Sequence, residues 1–221
     1  NNAASNPNAR FRKSVTAAEV LASPMVTDPL HLLQICPVSD GAAALILCSD
    51  RLAARVSRMS VEVAGIGIAS GTYGDPAHRI PTVGGSVHGD IPHTSEVMSA
   101  AQKAMSMAGV EHGDIDVREM ADNTAWHLLA WPEMLGFVEP GQGDWMLKNK
   151  RYNLNGDLAL NPSGGFLSFG EATTAQAVLQ ICELVWQLRS EASGRQVPNA
   201  RVGMSAVLGL GANGGSVVLK R

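Results

Sequence analysis

The sequence predicts a layered α/β fold, and three observations carry that prediction. Residues 42–48, Ala-Ala-Ala-Leu-Ile-Leu-Cys, are a continuous apolar run of strand length, the pattern of a strand buried on both faces. Residues 94–108 and 171–190 instead repeat apolar side chains at three- and four-residue steps, the spacing of one helix face. Strand-like runs at 61–69, 114–120, 202–208 and 216–219 alternate with these helical stretches, as they do when helices cover a sheet.

Taken in order, residues 1–37 are punctuated by Asn6-Pro7, Ser23-Pro24, Asp28-Pro29 and Cys36-Pro37, each of which disfavours helix at the residue before proline. Only residues 16–21 read as helix, so this segment is expected to lie across a core built by something else. Asp40-Gly41 opens the apolar strand, which has no local strand to pair with, and Ser49-Asp50 caps a helix through about Val56. After the strand at 61–69, residues 70–93 are polar and rich in glycine and proline, a long surface loop able to cover a site. Thr94 and Ser95 cap a helix whose Val97, Ala101, Ala104, Met105 and Ala108 share a face, and Gly109 ends it. A strand at 114–120, a helix at 124–135 with Pro132 near its end, and an excursion at 136–155 follow. The helix at 171–190 buries Ala175, Val178, Leu179, Cys182, Val185 and Trp186, and two strands joined by the glycine-rich 209–215 close the chain.

The chain has 221 residues, enough for one large domain or a domain and a piece of another. With 45% hydrophobic and 17% charged residues and a net charge of -3, nothing points to nucleic acid: the longest basic run is Arg10-Phe11-Arg12-Lys13. No apolar run approaches the roughly 20 residues of a membrane span, and no signal peptide opens the sequence. Cys36, Cys48 and Cys182 share no metal spacing and read as reduced, buried thiols, which predicts a cytoplasmic address. The start, Asn1-Asn2-Ala3-Ala4, reads as cut from a longer polypeptide.

The stretch with the character of a site is 161–176, Asn-Pro-Ser-Gly-Gly-Phe-Leu-Ser-Phe-Gly-Glu-Ala-Thr-Thr-Ala-Gln. Gly164, Gly165 and Gly170 permit backbone conformations and close approaches that a β-carbon forbids, so a ligand can reach main chain there. The helix expected directly afterwards would offer free N–H groups and the positive end of its dipole to a carboxylate, a carbonyl oxygen or an oxyanion. The plainer reading is a tight loop whose glycines let a helix pack closely.

Several segments in one order resemble the thiolase superfamily, most closely the sterol-carrier-protein-type thiolases. They are Asn6-Pro7-Asn8-Ala9, Val20-Leu-Ala-Ser-Pro-Met25, Cys36-Pro-Val-Ser-Asp-Gly-Ala-Ala43, Asn161-Pro-Ser-Gly-Gly165, Cys182-Glu-Leu-Val-Trp-Gln-Leu-Arg189 and the glycine-rich ending. The resemblance implies a thiolase fold with α-β-α-β-α layers, residues 1–56 finishing an N-terminal domain and 61–221 forming the C-terminal one. It also implies an absent N-terminal half, which in the family holds the acyl-accepting cysteine, and a homodimer. The substrate would be an acyl-CoA, with coenzyme A entering as part of it, and no bound cofactor or metal is expected.

The departures from the family are pointed. Where sterol-carrier-type thiolases have a sequence like His-Asp-Cys-Phe, this chain has Ala121-Asp122-Asn123-Thr124, and where the family has Gly-His-Pro it has Gly170-Glu171-Ala172. Both histidines are replaced. The candidate catalytic residues are therefore Glu171, Asp122 and Asn123: Glu171 as a base whose acidity is set by helix dipole against desolvation, Asp122 as an orienting group or a cap for the helix after it, Asn123 as an amide donor to an oxyanion. Asn161, Ser163, Gly164, Gly165, Gly170, Gly209 and Gly211 are the candidate substrate contacts. Tyr73 and Tyr152 are further possible donors. His127 reads as a half-buried helix residue, and His78, His88 and His93 with Asp75 and Asp90 as a polar loop rather than a metal site. Some thiolase-like proteins without the usual histidines are aldolases that cleave β-hydroxyacyl-CoA side chains of steroids, and these are associated with an OB-fold, zinc-ribbon partner protein; the acyl group expected here is a fatty or steroid side chain. The replacements suit that chemistry better than thiolysis. The alternatives are a catalytically inactive thiolase-like subunit or acyl-lipid binding protein, and a polyketide-like condensing subunit.

Overall fold

The computed structural model describes residues 2–56, 59–71, 95–209 and 213–221. The loop expected at 70–93 lies largely outside them, and with it Tyr73, Asp75, His78, His88, Asp90 and His93; Gly211 of the closing glycine turn is outside them too. Residues 2–56 hold two α-helices, α1 (Ala17–Ala22) and α2 (Asp50–Val56), and between them a small antiparallel pair, β1 (Met25–Thr27) and β2 (Leu30–His31). Thr16 and Glu19 close a capping box at the start of α1, Thr16 Oγ1 accepting from Glu19 N at 3.2 Å and Glu19 Oε2 accepting from Thr16 N at 2.7 Å.

The body is a four-stranded mixed sheet in the order β3 (Glu62–Ser70), β6 (Asn213–Lys220), β5 (Val202–Gly209), β4 (Val117–Met120). β4 runs parallel to β5, and the other neighbours are antiparallel. Helix α3 (Glu96–Ala108) lies over β3 and β6 on one face. Ser95 Oγ caps it by accepting from Met98 N at 3.2 Å, and Gly109, at a φ of 62°, ends it. The helix sits close because Gly65 and Gly67 face it: a β-carbon on either would overlap the carbonyl oxygen of Ala104 or Ala100. The core on this side joins Val97, Ala104 and Met105 to Met120, Met204 and Val218 and to Trp131 of helix α4 (Ala125–Met134). On the opposite face Val117, Leu184, Leu188 and Leu219 pack together under the long helix α7 (Ala175–Leu188). Two short helices complete the described α-helices, α5 (Gly143–Lys148) within the excursion and α6 (Gly165–Phe169). The result is the mixed α/β layering expected from the alternation of elements.

Four local expectations are corrected. Residues 42–48 form no strand: no described strand lies beside them, and Ile46 is 98% exposed. A strand is a hydrogen-bonded ladder, so an apolar run without a neighbour cannot become one. The strand expected from 114 starts at Val117, because Asp116 instead takes the N–H groups of Arg201 and Val202 on its carboxylate at 2.8 and 2.9 Å. The helix expected from 171 starts at Ala175; Gly170 and Thr174 have φ of 87° and 74°, which no right-handed helix accommodates, and α6 stands before them as a separate turn.

The fourth correction concerns which face of α7 is inside. The apolar residues Val178, Leu179, Cys182, Val185 and Trp186 are only half-buried, while Gln176, Gln180, Glu183 and Gln187 are buried beside Leu184 and Leu188. The return segment after the helix satisfies Glu183 and Gln187, whereas the Gln180 side-chain amide is buried without a hydrogen-bond partner among the described residues. Arg195 binds the Glu183 carboxylate through Nε and Nη2 at 2.8–3.0 Å, and Gln187 donates to Glu183 Oε1 and to Arg195 O, both at 2.9 Å.

Candidate functional site

The site grows from the C-terminal end of β4. After Met120 the chain turns through Ala121, Asp122, Asn123 and Thr124 into α4, with Ala121 N still held by Ala206 O at 3.0 Å. Asn161 fastens this end as a strand would: its side chain accepts from Met120 N at 2.7 Å and donates to Met120 O at 2.9 Å, and its own N–H donates to Arg118 O at 2.8 Å. Ser163 donates to the buried Glu119 carboxylate twice, from N at 3.0 Å and from Oγ at 2.8 Å. Burial, then the neighbouring Glu183, raises the Glu119 pKa, and those two hydrogen bonds oppose the shift.

Asp122 does not cap α4. Its carboxylate accepts from Phe166 N at 2.6 Å, so it caps the start of α6 across the fold, and Gly165 is a glycine because a β-carbon there would overlap that carboxylate. Burial pushes the Asp122 pKa up to about 8, against the pull of the Phe166 N–H. The cap of α4 is supplied from within by His127, whose Nδ1 accepts from Thr124 N at 3.1 Å; that fixes the ring proton on Nε2, and burial lowers the pKa.

Residues 35–39 complete the site by lying between two turns. On one side Cys36 N donates to Asn123 O at 2.8 Å, and Ile35 forms a β-bridge with Thr124. On the other, Glu171 N donates to Pro37 O at 2.7 Å and Ser39 N donates to Glu171 O at 3.1 Å, with Val38 bridged to Glu171. Gly170 has to be glycine: besides its left-handed φ, a β-carbon would stand 2.8 Å from Pro37 O. This stitching brings three half-exposed side chains together. The Cys36 thiol points at Glu171 Oε2 at 3.7 Å, and Asn123 Nδ2 approaches Cys36 Sγ at 4.0 Å. Burial, then the Glu171 carboxylate, raises the Cys36 pKa to about 11.

Of the residues singled out in the sequence, the structure gathers Glu171, Asn123 and, behind them, Asp122. Glu171 sits in a β-bridge four residues ahead of α7, so the helix-start position assumed for it is wrong and the dipole argument does not apply. Asn161 and Ser163 spend their side chains on Met120 and Glu119. The close approaches at Gly164 and Gly165 are taken by Ala3 and by Asp122. Gly209 ends β5 opposite Asn213, on the same edge of the sheet as the 121–124 turn. Tyr152 is buried in the core, where burial raises its pKa to about 12. Cys36 was not among the candidates. Its signs in the sequence were the turn-forming Cys36-Pro37 pair and its place at the head of the Cys36–Ala43 family segment, and nothing local says that this turn meets Glu171. Among the described residues no group of three or more His, Cys, Asp or Glu side chains is placed to hold a metal ion, and no helix is long and apolar enough to cross a membrane.

Comparison with known proteins bears on the same residues. A family model described as Thiolase C-terminal domain-like matches residues 85–221. The chain is 39% identical over 208 residues to an acetyl-CoA acetyltransferase of Methanothermobacter thermautotrophicus, covering 94% of this chain and 52% of that protein. It is 34% identical over 226 residues to sterol carrier protein 2 of Homo sapiens, covering 97% of this chain and 38% of that one. Among solved structures the Ltp2-ChsH2(DUF35) aldolase superposes with a TM-score of 0.79 over 99% of this chain and 55% of its own, at 22% identity, a likeness of fold. The chain thus spans about half or less of the length of the relatives it matches. Since the family model takes in more than half of the chain, Asp122, Asn123 and Glu171 among it, the chain belongs to the thiolase family and carries its C-terminal domain.

Proposed function

We propose that the full-length protein performs carbon–carbon bond chemistry on an acyl-CoA, as aldol-type cleavage of a β-hydroxyacyl thioester rather than thiolysis. The observation that carries this reading is the convergence of the Glu171 carboxylate and the Asn123 amide on one half-exposed spot, where the two histidine positions of the family are held by Ala121 and Glu171. A retro-aldol step needs a base for the β-hydroxyl proton and a donor for the enolate oxygen that forms on the thioester. Glu171 supplies the first. The Asn123 amide supplies the second, and the reaction needs no acyl-cysteine. Asp122 acts as a positioning residue, since its one carboxylate ties the turn bearing Asn123 to the helix that leads to Glu171.

Coenzyme A would enter as part of the substrate, with a fatty or steroid side chain as the acyl group, and no resident cofactor is required. The family's N-terminal half would cover the apolar run at 45–47, where Ile46 and Leu47 are 98% and 76% exposed. A thiolase-like homodimer and an OB-fold, zinc-ribbon partner complete the assembly we propose, in the cytoplasm; the solved aldolase of like fold carries a DUF35 component in its name. The test is Glu171→Gln in the full-length protein, which keeps the shape and removes the base. Cleavage of a β-hydroxyacyl-CoA is expected to fall by about 10²-fold or more with the melting temperature unchanged. An inactive wild type would instead leave an acyl-lipid binding subunit.

A further inference from the structure

We propose that Cys36 is the acid that protonates the α-carbon of the thioester enolate, and that its contact with Glu171 returns the proton and closes the catalytic cycle. This assignment rests on the aldol reading above and extends it to a residue with no role so far. Aldol cleavage makes two proton demands on adjacent substrate atoms: one proton leaves the β-hydroxyl, and one arrives at the α-carbon. Glu171 meets the first demand. Among the described residues, the side chain that touches both Glu171 and Asn123 is Cys36, and it carries a transferable S–H.

The placement fits the task. Cys36 Sγ and Glu171 Oε2 are 3.7 Å apart, a separation suited to an acid and a base serving neighbouring atoms of one ligand. All three side chains are half-exposed, so a substrate can reach them, while their backbones are fixed by hydrogen bonds of 2.7–3.1 Å between residues 36–39, 123 and 171. The Asn123 amide beside Sγ would hold the enolate oxygen next to the thiol, so the carbanionic carbon faces S–H.

The balance of the cycle is complete. It starts with Glu171 as carboxylate and Cys36 as thiol. The β-hydroxyl proton passes to Glu171, the Cα–Cβ bond breaks, and its electron pair becomes the enolate while the hydroxyl-bearing carbon leaves as an aldehyde or ketone. The enolate carbon takes the Cys36 proton. A thiolate then stands beside a protonated Glu171, and the proton crosses between them to restore both groups, with no oxidant, reductant or added nucleophile. Burial and the adjacent carboxylate keep Cys36 in its thiol form at neutral pH, the form an acid requires and a nucleophile avoids.

The experiment uses the full-length protein, with its partner where one co-purifies, and compares wild type, Cys36→Ala and Cys36→Ser. The first readout is cleavage of β-hydroxyacyl-CoA thioesters with straight-chain and ring-bearing side chains. The second is exchange of the α-protons of propionyl-CoA with deuterated water, followed by mass spectrometry without any aldehyde present. A circular-dichroism melt of each variant confirms folding. Cys36→Ala is expected to lose about 10²-fold in cleavage and to abolish exchange, and Cys36→Ser to retain part of both. A Cys36→Ala protein that cleaves and exchanges within a few-fold of wild type overturns the role of Cys36 and leaves the aldol reading standing. A wild type that exchanges α-protons through Cys36 yet cleaves no substrate overturns the aldol reading and keeps the acid. A wild type that does neither overturns both.

Discussion

Asp122 shows how one side chain can set both the geometry and the pH response of a site. Its carboxylate is buried, caps α6 through Phe166 N and is pressed by Gly165. Burial raises its pKa from an ordinary 3.8 to about 8 in the folded chain. Folding therefore takes up a proton between those values: this group contributes fully to stability below the unfolded pKa, and the contribution is lost as pH rises through the folded one. The melting temperature of wild type is expected to fall as pH rises from about 4 to about 8, and Asp122→Asn, which keeps an oxygen acceptor for Phe166 N, is expected to flatten that fall. Glu119, also raised by burial, adds to the slope in both proteins, so the difference between the two melting series is the measurement. Series that superimpose would mean that Asp122 is ionised throughout. Asp122→Ala removes the cap and should cost about 1 kcal/mol from that loss alone.

At the scale of elements, α7 is held by its polar side. The Glu183–Arg195 pair is buried, 2.8 Å apart, and cross-braced by Gln187 and by Val197 N, which donates to Gln187 Oε1 at 2.8 Å. A buried pair of this kind is no gain over a well-packed apolar core, but removing one member strands the other charge. Arg195→Met should therefore destabilise the chain by about 3–5 kcal/mol in urea titration. The double variant Arg195→Met with Glu183→Gln should recover a good part of that. Equal losses in single and double variants would show that packing of the Arg195 stem, and not charge, dominates.

At the scale of the whole molecule, the apolar side of α7 is half-exposed, and Ile66 and Ile68 on the free face of β3 and Leu45, Ile46 and Leu47 are exposed. Apolar surface gathered in this way marks an interaction site, or an aggregation hazard when left uncovered. Residues 1–221 expressed alone are expected to self-associate. Sedimentation velocity should show a concentration-dependent distribution of species. A monodisperse monomer with a cooperative unfolding transition would refute the idea that these surfaces need a cover.

The sequence alone was enough for whatever is fixed over a few residues. The helical piece at residues 16–21, the Ser95 cap and Gly109 stop of α3, and the runs that become β3, β5 and β6 were all legible, because caps and periodicity act within one or two turns of chain. The family was legible for a related reason: short motifs survive in order along the whole length. Tertiary structure decided what depends on distant partners. Residues 42–48 have strand composition but no neighbouring strand, and α7 has an apolar face that is not its buried one, since Arg195 reaches back to pair with Glu183. Asp122 sits three residues before α4 and caps α6 instead, across 44 residues of chain. The site was half legible: Glu171 and Asn123 stand where family histidines or their neighbours would be, but their meeting at Cys36 is made by a contact between residues 135 apart. Pattern within a window carries no information about such a contact, and only the packed fold supplies it.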